Sequence, residues 1–321
     1  DIIISKLNTN GNLINSTYIG GSDNEGLNES MVYNYSDQVR GEVVLDNNDN
    51  VYVATSLWSD DFPGISGTGI NNGAGWGTQD AVVFKMNSNL SSLSWARFVG
   101  GSDFETGYSI RVSAQGKVFV CGGTTSTDLG ATPFVNDQTF NGIWDGYIAS
   151  FDANTGNPIA RTYLGTTDYD QAFILELDDQ ENVYVIGQSL GAYPVNFVIG
   201  GGSYSVPNSA QFIHKLAPSL DLTFYSTVFG NGSTAAINIS PTAFLVDKCG
   251  NVYVSGWGGG YNSATGGIAF NPQAGGTTNG MPITIDAQQS TTDGNDFYFF
   301  VMERDATGLL YGTYLGDPVS F

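Results

Sequence analysis

The chain has 321 residues and carries 10 Lys and Arg against 31 Asp and Glu, a formal charge of −21. That balance argues against nucleic acid as a partner, because phosphate backbones are bound by Lys and Arg and a chain this acidic repels them at long range. The 41% hydrophobic content is enough for a packed core, no apolar run reaches the roughly 18 residues of a membrane-spanning helix, and 43 glycines with 13% aromatics suit many short strands joined by turns.

In chain order the first element is DIIISKL at residues 1–7, followed by STYIGG at 16–21, a third run, and NVYV at 50–53. The first returns as DAVVFKM (80–86), DGYIASF (145–151), AQFIHKL (210–216) and DFYFFVM (296–302). The second returns at 96–101, 161–165, 226–230 and 312–316, and the fourth at 117–120, 182–185 and 251–254. These runs are short, rich in Val, Ile, Tyr and Phe, and bounded by Gly, Asn and Asp, which predicts strands with tight turns. No sustained 3.6-residue apolar period occurs, so few helices are expected.

Self-similarity at this spacing divides the chain into copies at about 1–79, 80–144, 145–208 and 209–295, with a partial copy at 296–321. Four strands per copy, joined by hairpins into antiparallel sheets that bury their faces side by side, give an all-β fold, a β-propeller of four-stranded blades. A β-sandwich needs no such repetition. Residues 1–321 then form a single propeller region of about four and a half blades. Its ring is completed either by blades supplied by flanking chain or by joining of the two end half-blades, since an open sheet edge is an aggregation hazard. With no signal peptide before Asp1 and a stop just after a strand, the chain is expected to be a processed or partial segment.

The pattern D-x-x-x-x-K-L, then S-T-Y-x-G-G-S, then D-x-x-x-N-V-Y-V resembles the SBBP family of β-propeller repeats over nearly the whole chain. Residues 247–259, 278–284 and 310–316 are similar to the propeller region of gliding-motility-associated surface proteins of Bacteroidota. This resemblance implies type IX secretion, a secreted or cell-surface location and an anchoring or sorting domain beyond Phe321. It implies no catalytic residues.

Strand parity puts the long insertions, roughly residues 57–79, 123–144, 189–208 and 257–295, at one rim, the expected binding face. Trp58, Trp76, Trp144, Tyr193, Tyr204, Trp257 and Tyr261 fall there, and flat rings with a polar handle suit sugars and protein surfaces. Packing of each ring onto its own blade is the structural alternative. No cofactor is expected. Ca²⁺ is the one ion the acidic turns suggest, with Asp23, Asp103 and Asp168 as weak candidate ligands beside Glu105 and Asp170. The opposite-rim runs at 46–50, 178–182 and 247–251 read instead as turns whose side chains accept backbone N–H bonds, and none has the glycine and glutamate spacing of an EF-hand.

Cys121 and Cys249 fall at opposite ends of strands in different copies and should not pair. His214, the only histidine, reads as a mid-strand packing or surface residue, and the five arginines are scattered. Phosphate loops, G-x-S-x-G elbows and H-E-x-x-H signatures are absent. The expected function is a non-catalytic binding or scaffold module for adhesion or surface assembly, with a surface glycan or protein, and neighbouring domains or subunits of the assembly, as partners. Two rival readings are a carbohydrate-active enzyme using paired carboxylates on the loop-rich face and a passive spacer in a surface filament.

Overall fold

The computed structural model describes residues 1–34, 37–65, 79–198, 201–233, 237–259 and 276–317. Trp76 and Tyr261 lie outside the described residues. A two-stranded sheet, β1 (Ile2–Leu7) and β2 (Leu13–Ile19), is followed by four larger antiparallel sheets. The first of these is β3 (Glu42–Leu45), β4 (Val51–Leu57), β5 (Asp80–Met86) and β6 (Leu93–Val99). The second is β7 (Ser109–Val112), β8 (Lys117–Thr124), β9 (Asp145–Asp152) and β10 (Pro158–Leu164). The third is β11 (Asp170–Leu177) and β12 (Val183–Ser189), continued by β14 (Gln211–Leu216) and β15 (Thr223–Phe229), with the short β13 (Asn196–Phe197) along β15. The fourth is β16 (Ser240–Val246), β17 (Val252–Trp257), β18 (Phe297–Met302) and β19 (Leu309–Leu315).

These are the blades of a β-propeller, four complete and one half among the described residues. The first strand of each blade touches the first strand of the next, β3 on β7, β7 on β11 and β11 on β16, so these four line the axis. The blade is displaced by two strands from the copy counted in the sequence. Each sheet joins the last two strands of one copy to the first two of the next: β4 pairs with β5 in register from Val51↔Met86 to Leu57↔Asp80, across the long insertion. The insertions therefore connect strands within a blade, and the segments that open on Gly after β2, β6, β10 and β15 connect blades.

Alternation along the strands puts one face of each sheet against each neighbour, so the core lies between blades. Tyr52, Ala54, Val83 and Trp95 of the first blade meet Ile110, Val118, Val120 and Phe151 of the second. Phe119 and Ile148 meet Leu175, Val185 and Phe212, and Tyr184 and Ile213 meet Phe244, Val254 and Phe300. Burying each such side chain contributes about 1.5–3 kcal/mol.

The charged positions of the repeat motif act in the lower turns. Asp46 Oδ1 accepts the N–H groups of Asn48 and Asn50 at 2.8 and 2.9 Å, and its Oδ2 accepts Asn50 Nδ2 at 2.8 Å and the Tyr52 hydroxyl at 3.2 Å. Asp178 and Asp247 repeat this arrangement with Asn182, Tyr184, Asn251 and Tyr253. Lys85 reaches Asp46 at 3.8 Å over the Tyr52 ring, and Lys215 reaches Asp178 at 3.5 Å over Tyr184. The oxygen-rich runs are thus closed turns whose acids bind their own loops. Cys121 is buried in β8 and Cys249 is exposed in a lower turn, both free.

Candidate functional site

The insertions begin and end at the upper rim as expected, and residues 66–78 and 260–275 of the first and fourth lie outside the described residues. The described part of each runs along the outer edge of its own blade and covers the outermost strand. In the second blade Thr132 N–H donates to Arg161 O and Tyr163 N–H to Asp137 O, while Arg161 Nη1 holds Leu129 O at 2.8 Å. In the third, β13 pairs with β15. In the fourth, Thr284 N–H donates to Gly312 O and Tyr314 N–H to Gln289 O. In the first, Phe62 is buried with Phe84 and Ala96, and Gly64 sits against Leu93 of the outer strand β6. An exposed outer strand offers unpaired N–H and C=O groups to any passing chain, and these straps blunt that hazard.

The described members of the aromatic set, Trp58, Trp144, Tyr193, Tyr204 and Trp257, are spread over the four blades and have separate packing partners. Tyr193 is buried, stacked on Phe212 with centroids 3.8 Å apart, its hydroxyl 2.8 Å from His214 Nδ1. That histidine is a packing residue of β14, also bonded to Thr223, and burial holds its pKa down at about 3. Trp144 is half-buried against Tyr169, 5.0 Å between rings. Tyr204 packs with the core between blades three and four, beside Ala306 of a lower turn. Trp58 leans on Phe104 at 6.3 Å and Trp257 ends β17, both half-buried.

At the upper end of the axis lie residues 28–34 and 37–40, which cross the inner strands and bond to all four blades. Asn28 Nδ2 donates to the Tyr108 hydroxyl, Gln171 Nε2 to Met31 O, Arg40 Nη2 to Pro241 O, and Gln79 Nε2 to Asn28 Oδ1. Tyr33 stacks on Tyr169 at 4.1 Å. Asp37 is wholly buried, pairs with Arg40 at 3.0 Å and accepts the N–H groups of Tyr33 and Asn34. Burial raises its pKa despite these partners.

Asp23, Asp103 and Asp168 are exposed and stand at three separate blade junctions. Their backbone N–H groups are held by Ser59, Ser126 and Thr166 hydroxyls. The buried acids are their neighbours. Glu105 accepts Gly101 N–H at 2.9 Å and the Thr124 hydroxyl at 2.5 Å, and lies against Asp80 at the start of β5. Asp170 accepts Thr166 N–H at 2.6 Å and lies near Asp145. Glu25 accepts Gly21 N–H at 2.7 Å and shares the surroundings of Gly20 with Asp1. A Cβ on Gly20 or Gly100 would run into both carboxylates of its pair, which explains the glycine after each second-strand run.

Asp80 Oδ1, Asp145 Oδ1 and Asp170 Oδ1 meet no protein donor. Burial is the first cause that raises every one of these pKa values, joined by the neighbouring negative charge for Asp80 and Asp145. Asp145 is moved to about 7 and Asp170 to about 6, and the closely coupled Asp80 and Glu105 are both raised. The Asp80–Glu105 and Asp145–Asp170 pairs are therefore arranged to hold a proton at their blade junctions. Between the third and fourth blades the same place is taken by Ser209 and Asn238, both neutral, against Gly230. Sequence reasoning singled out Glu105 and Asp170 but missed Asp80 and Asp145 as their partners. The signal was an acid at the head of each D-x-x-x-x-K-L run, lost in the same copy that lost the loop acid.

No family model matches the sequence, and no curated protein matches it. Among solved structures the chain is similar to the quinohemoprotein alcohol dehydrogenase ADHIIG of Pseudomonas putida HK5, at 11% identity and a TM-score of 0.38, covering 87% of this chain and 35% of that one. The chain thus spans about a third of that enzyme's length. It is also similar to BamB of Moraxella catarrhalis, at 10% identity and a TM-score of 0.18, covering 89% of this chain and 87% of that one.

Proposed function

We propose that the chain is a non-catalytic binding or scaffold module of a secreted or cell-surface protein, built from SBBP-type repeats and acting in adhesion or surface assembly. The reading draws on the motif residues, whose acids, lysines and tyrosines are engaged in turns and junctions. The buried carboxylate pairs do not favour a glycosidase, because a catalytic pair must touch its sugar. The observation that carries the proposal lies on the straps. Phe134 is 88% exposed with φ of 68°, a conformation that a bulky side chain adopts only at a cost, and Ile285 on the fourth-blade strap is fully exposed. Exposed apolar residues on strand-bonded segments, one of them in a strained conformation, fit contact with a protein or glycan partner.

The test is a comparison of the native chain with a Phe134→Ser, Ile285→Ser variant on a glycan array and against surface proteins of the source cell. The expected result is a loss of binding of about tenfold or more per anchor residue with an unchanged melting temperature. Equal binding by the variant, or turnover of any polysaccharide in a hydrolysis panel, contradicts the reading.

A further inference from the structure

The strands β5, β9, β14 and β18 are each hydrogen-bonded on both sides, whereas β1, which carries the same D-x-x-x-x-K-L run, pairs among the described residues with β2 alone. The other edge of β1 borders an open groove whose floor is β3 and β4, lined by Ile2, Ile4, Val43, Val53 and Thr55.

Strand register defines what fits there. Val43 stands opposite Val53 as Ile110 stands opposite Val120, Leu175 opposite Val185 and Phe244 opposite Val254. Ile110, Leu175 and Phe244 are 0, 0 and 5% exposed. Each is covered by the first two strands of the preceding blade, through Tyr52, Phe119 and Tyr184 respectively. Val43 is 57% exposed, and Leu45, two residues on, is 58% exposed. The groove thus repeats a blade-to-blade interface that is filled three times elsewhere in the molecule.

We propose that this groove is an acceptor site for a β-hairpin of the repeat's own kind, one that carries the D-x-x-x-N-V-Y-V pattern. Its second strand hydrogen-bonds along the free edge of β1, and its aromatic residue, in the place of Tyr184, covers Val43 and Leu45. An arbitrary strand can satisfy the β1 edge but brings no aromatic side chain to the apolar floor. A second copy joined edge to edge through β1 leaves Val43 and Leu45 exposed, so the two apolar residues distinguish the hairpin from self-association.

The experiment joins a copy of residues 170–189 to Asp1 through a six-residue Gly/Ser loop, with a composition-matched scrambled hairpin as control. Hydrogen exchange is followed by mass spectrometry. The expected result is slowing by about tenfold or more over residues 1–7 and 42–45 in the grafted chain but not in the control. Val43→Asp should be close to neutral in the ungrafted chain and destabilising in the grafted one. If the graft fails to fold, the free peptide 170–189 is added in trans to the ungrafted chain at up to 1 mM (about −4 kcal/mol of binding), with the same readout. Unchanged exchange at β1 under both formats overturns the proposal, as does a concentration-dependent dimer of the ungrafted chain that protects β1 by itself.

Discussion

Replacing Asp80 by Asn removes one ionisable group of a deeply buried acid pair while keeping its shape. Asp80 is 2% exposed, its Oδ1 meets no donor, and Glu105 beside it is fully buried. Both carboxyl groups have raised pKa values, first through burial. The folded chain therefore keeps a proton that the unfolded chain releases above about pH 4. For a carboxyl raised on folding, the stabilising contribution is complete below the unfolded pKa and is lost as pH rises through the folded one. The loss approaches about 1.4 kcal/mol per pH unit for each proton held. Asp145 and Asp170, at about 7 and 6, place their share of the loss between pH 4 and 7, and the Asp80 pair extends it upward.

An Asn amide at position 80 can donate to Glu105 at any pH, and at the third junction the corresponding place is held by the neutral Ser209 and Asn238. A buried group left without a partner costs about 1–3 kcal/mol, so Asp80→Asn should stabilise the chain by about that amount at pH 8.5. This corresponds to a few degrees in melting temperature. At pH 4.5 it should change little. Calorimetric melting of both proteins from pH 4 to 9 measures the difference directly. A variant less stable than the native chain at pH 8.5, or one with the same dependence on pH, refutes the shared-proton account.

Gly100→Ala should destabilise by about 2 kcal/mol or more, because the new Cβ collides with Asp80 and Glu105; chemical denaturation reads it. Tyr193→Ala should cost about 3–5 kcal/mol through loss of its stack on Phe212, whereas Tyr193→Phe should cost about 1 kcal/mol for the bond to His214. Asp46→Ala should cost about 1–2 kcal/mol, because two backbone N–H groups and Asn50 lose their acceptor. Excess EDTA or added Ca²⁺ should leave the melting temperature of the native chain unmoved, since the acids of these turns are saturated by their own loops.

The strands and their propeller arrangement were legible because Val, Tyr and Phe alternate in short runs closed by Asn, Asp and Gly. The turns of Asp46, Asp178 and Asp247 were legible for a related reason, since an acid two and four residues before its N–H partners acts locally. The blade phase was not. The longest break in each copy, such as the one between Leu57 and Asp80, looks like a boundary, yet the two strands flanking it are direct hydrogen-bonded neighbours. Sequence distance carries little information about pairing once an intervening segment can fold back on the same sheet. The path of the described straps was not legible for the same reason, because parity fixes where an insertion starts and ends but not the route between. The acid pairs join positions about 25 residues apart, Asp80 with Glu105 and Asp145 with Asp170, and became visible only when the repeat was read across both positions together.

The account turns on the insertions being part of the folded blades, as edge straps rather than a free binding rim. Native-state hydrogen exchange of residues 128–139, 193–198 and 281–289 tests this most directly. Backbone N–H groups of Thr132, Val198 and Thr284 are bonded in the straps and should exchange at rates near those of β10, β15 and β19. Exchange at the rate of an unstructured chain in these segments, with the outer strands equally unprotected, contradicts it.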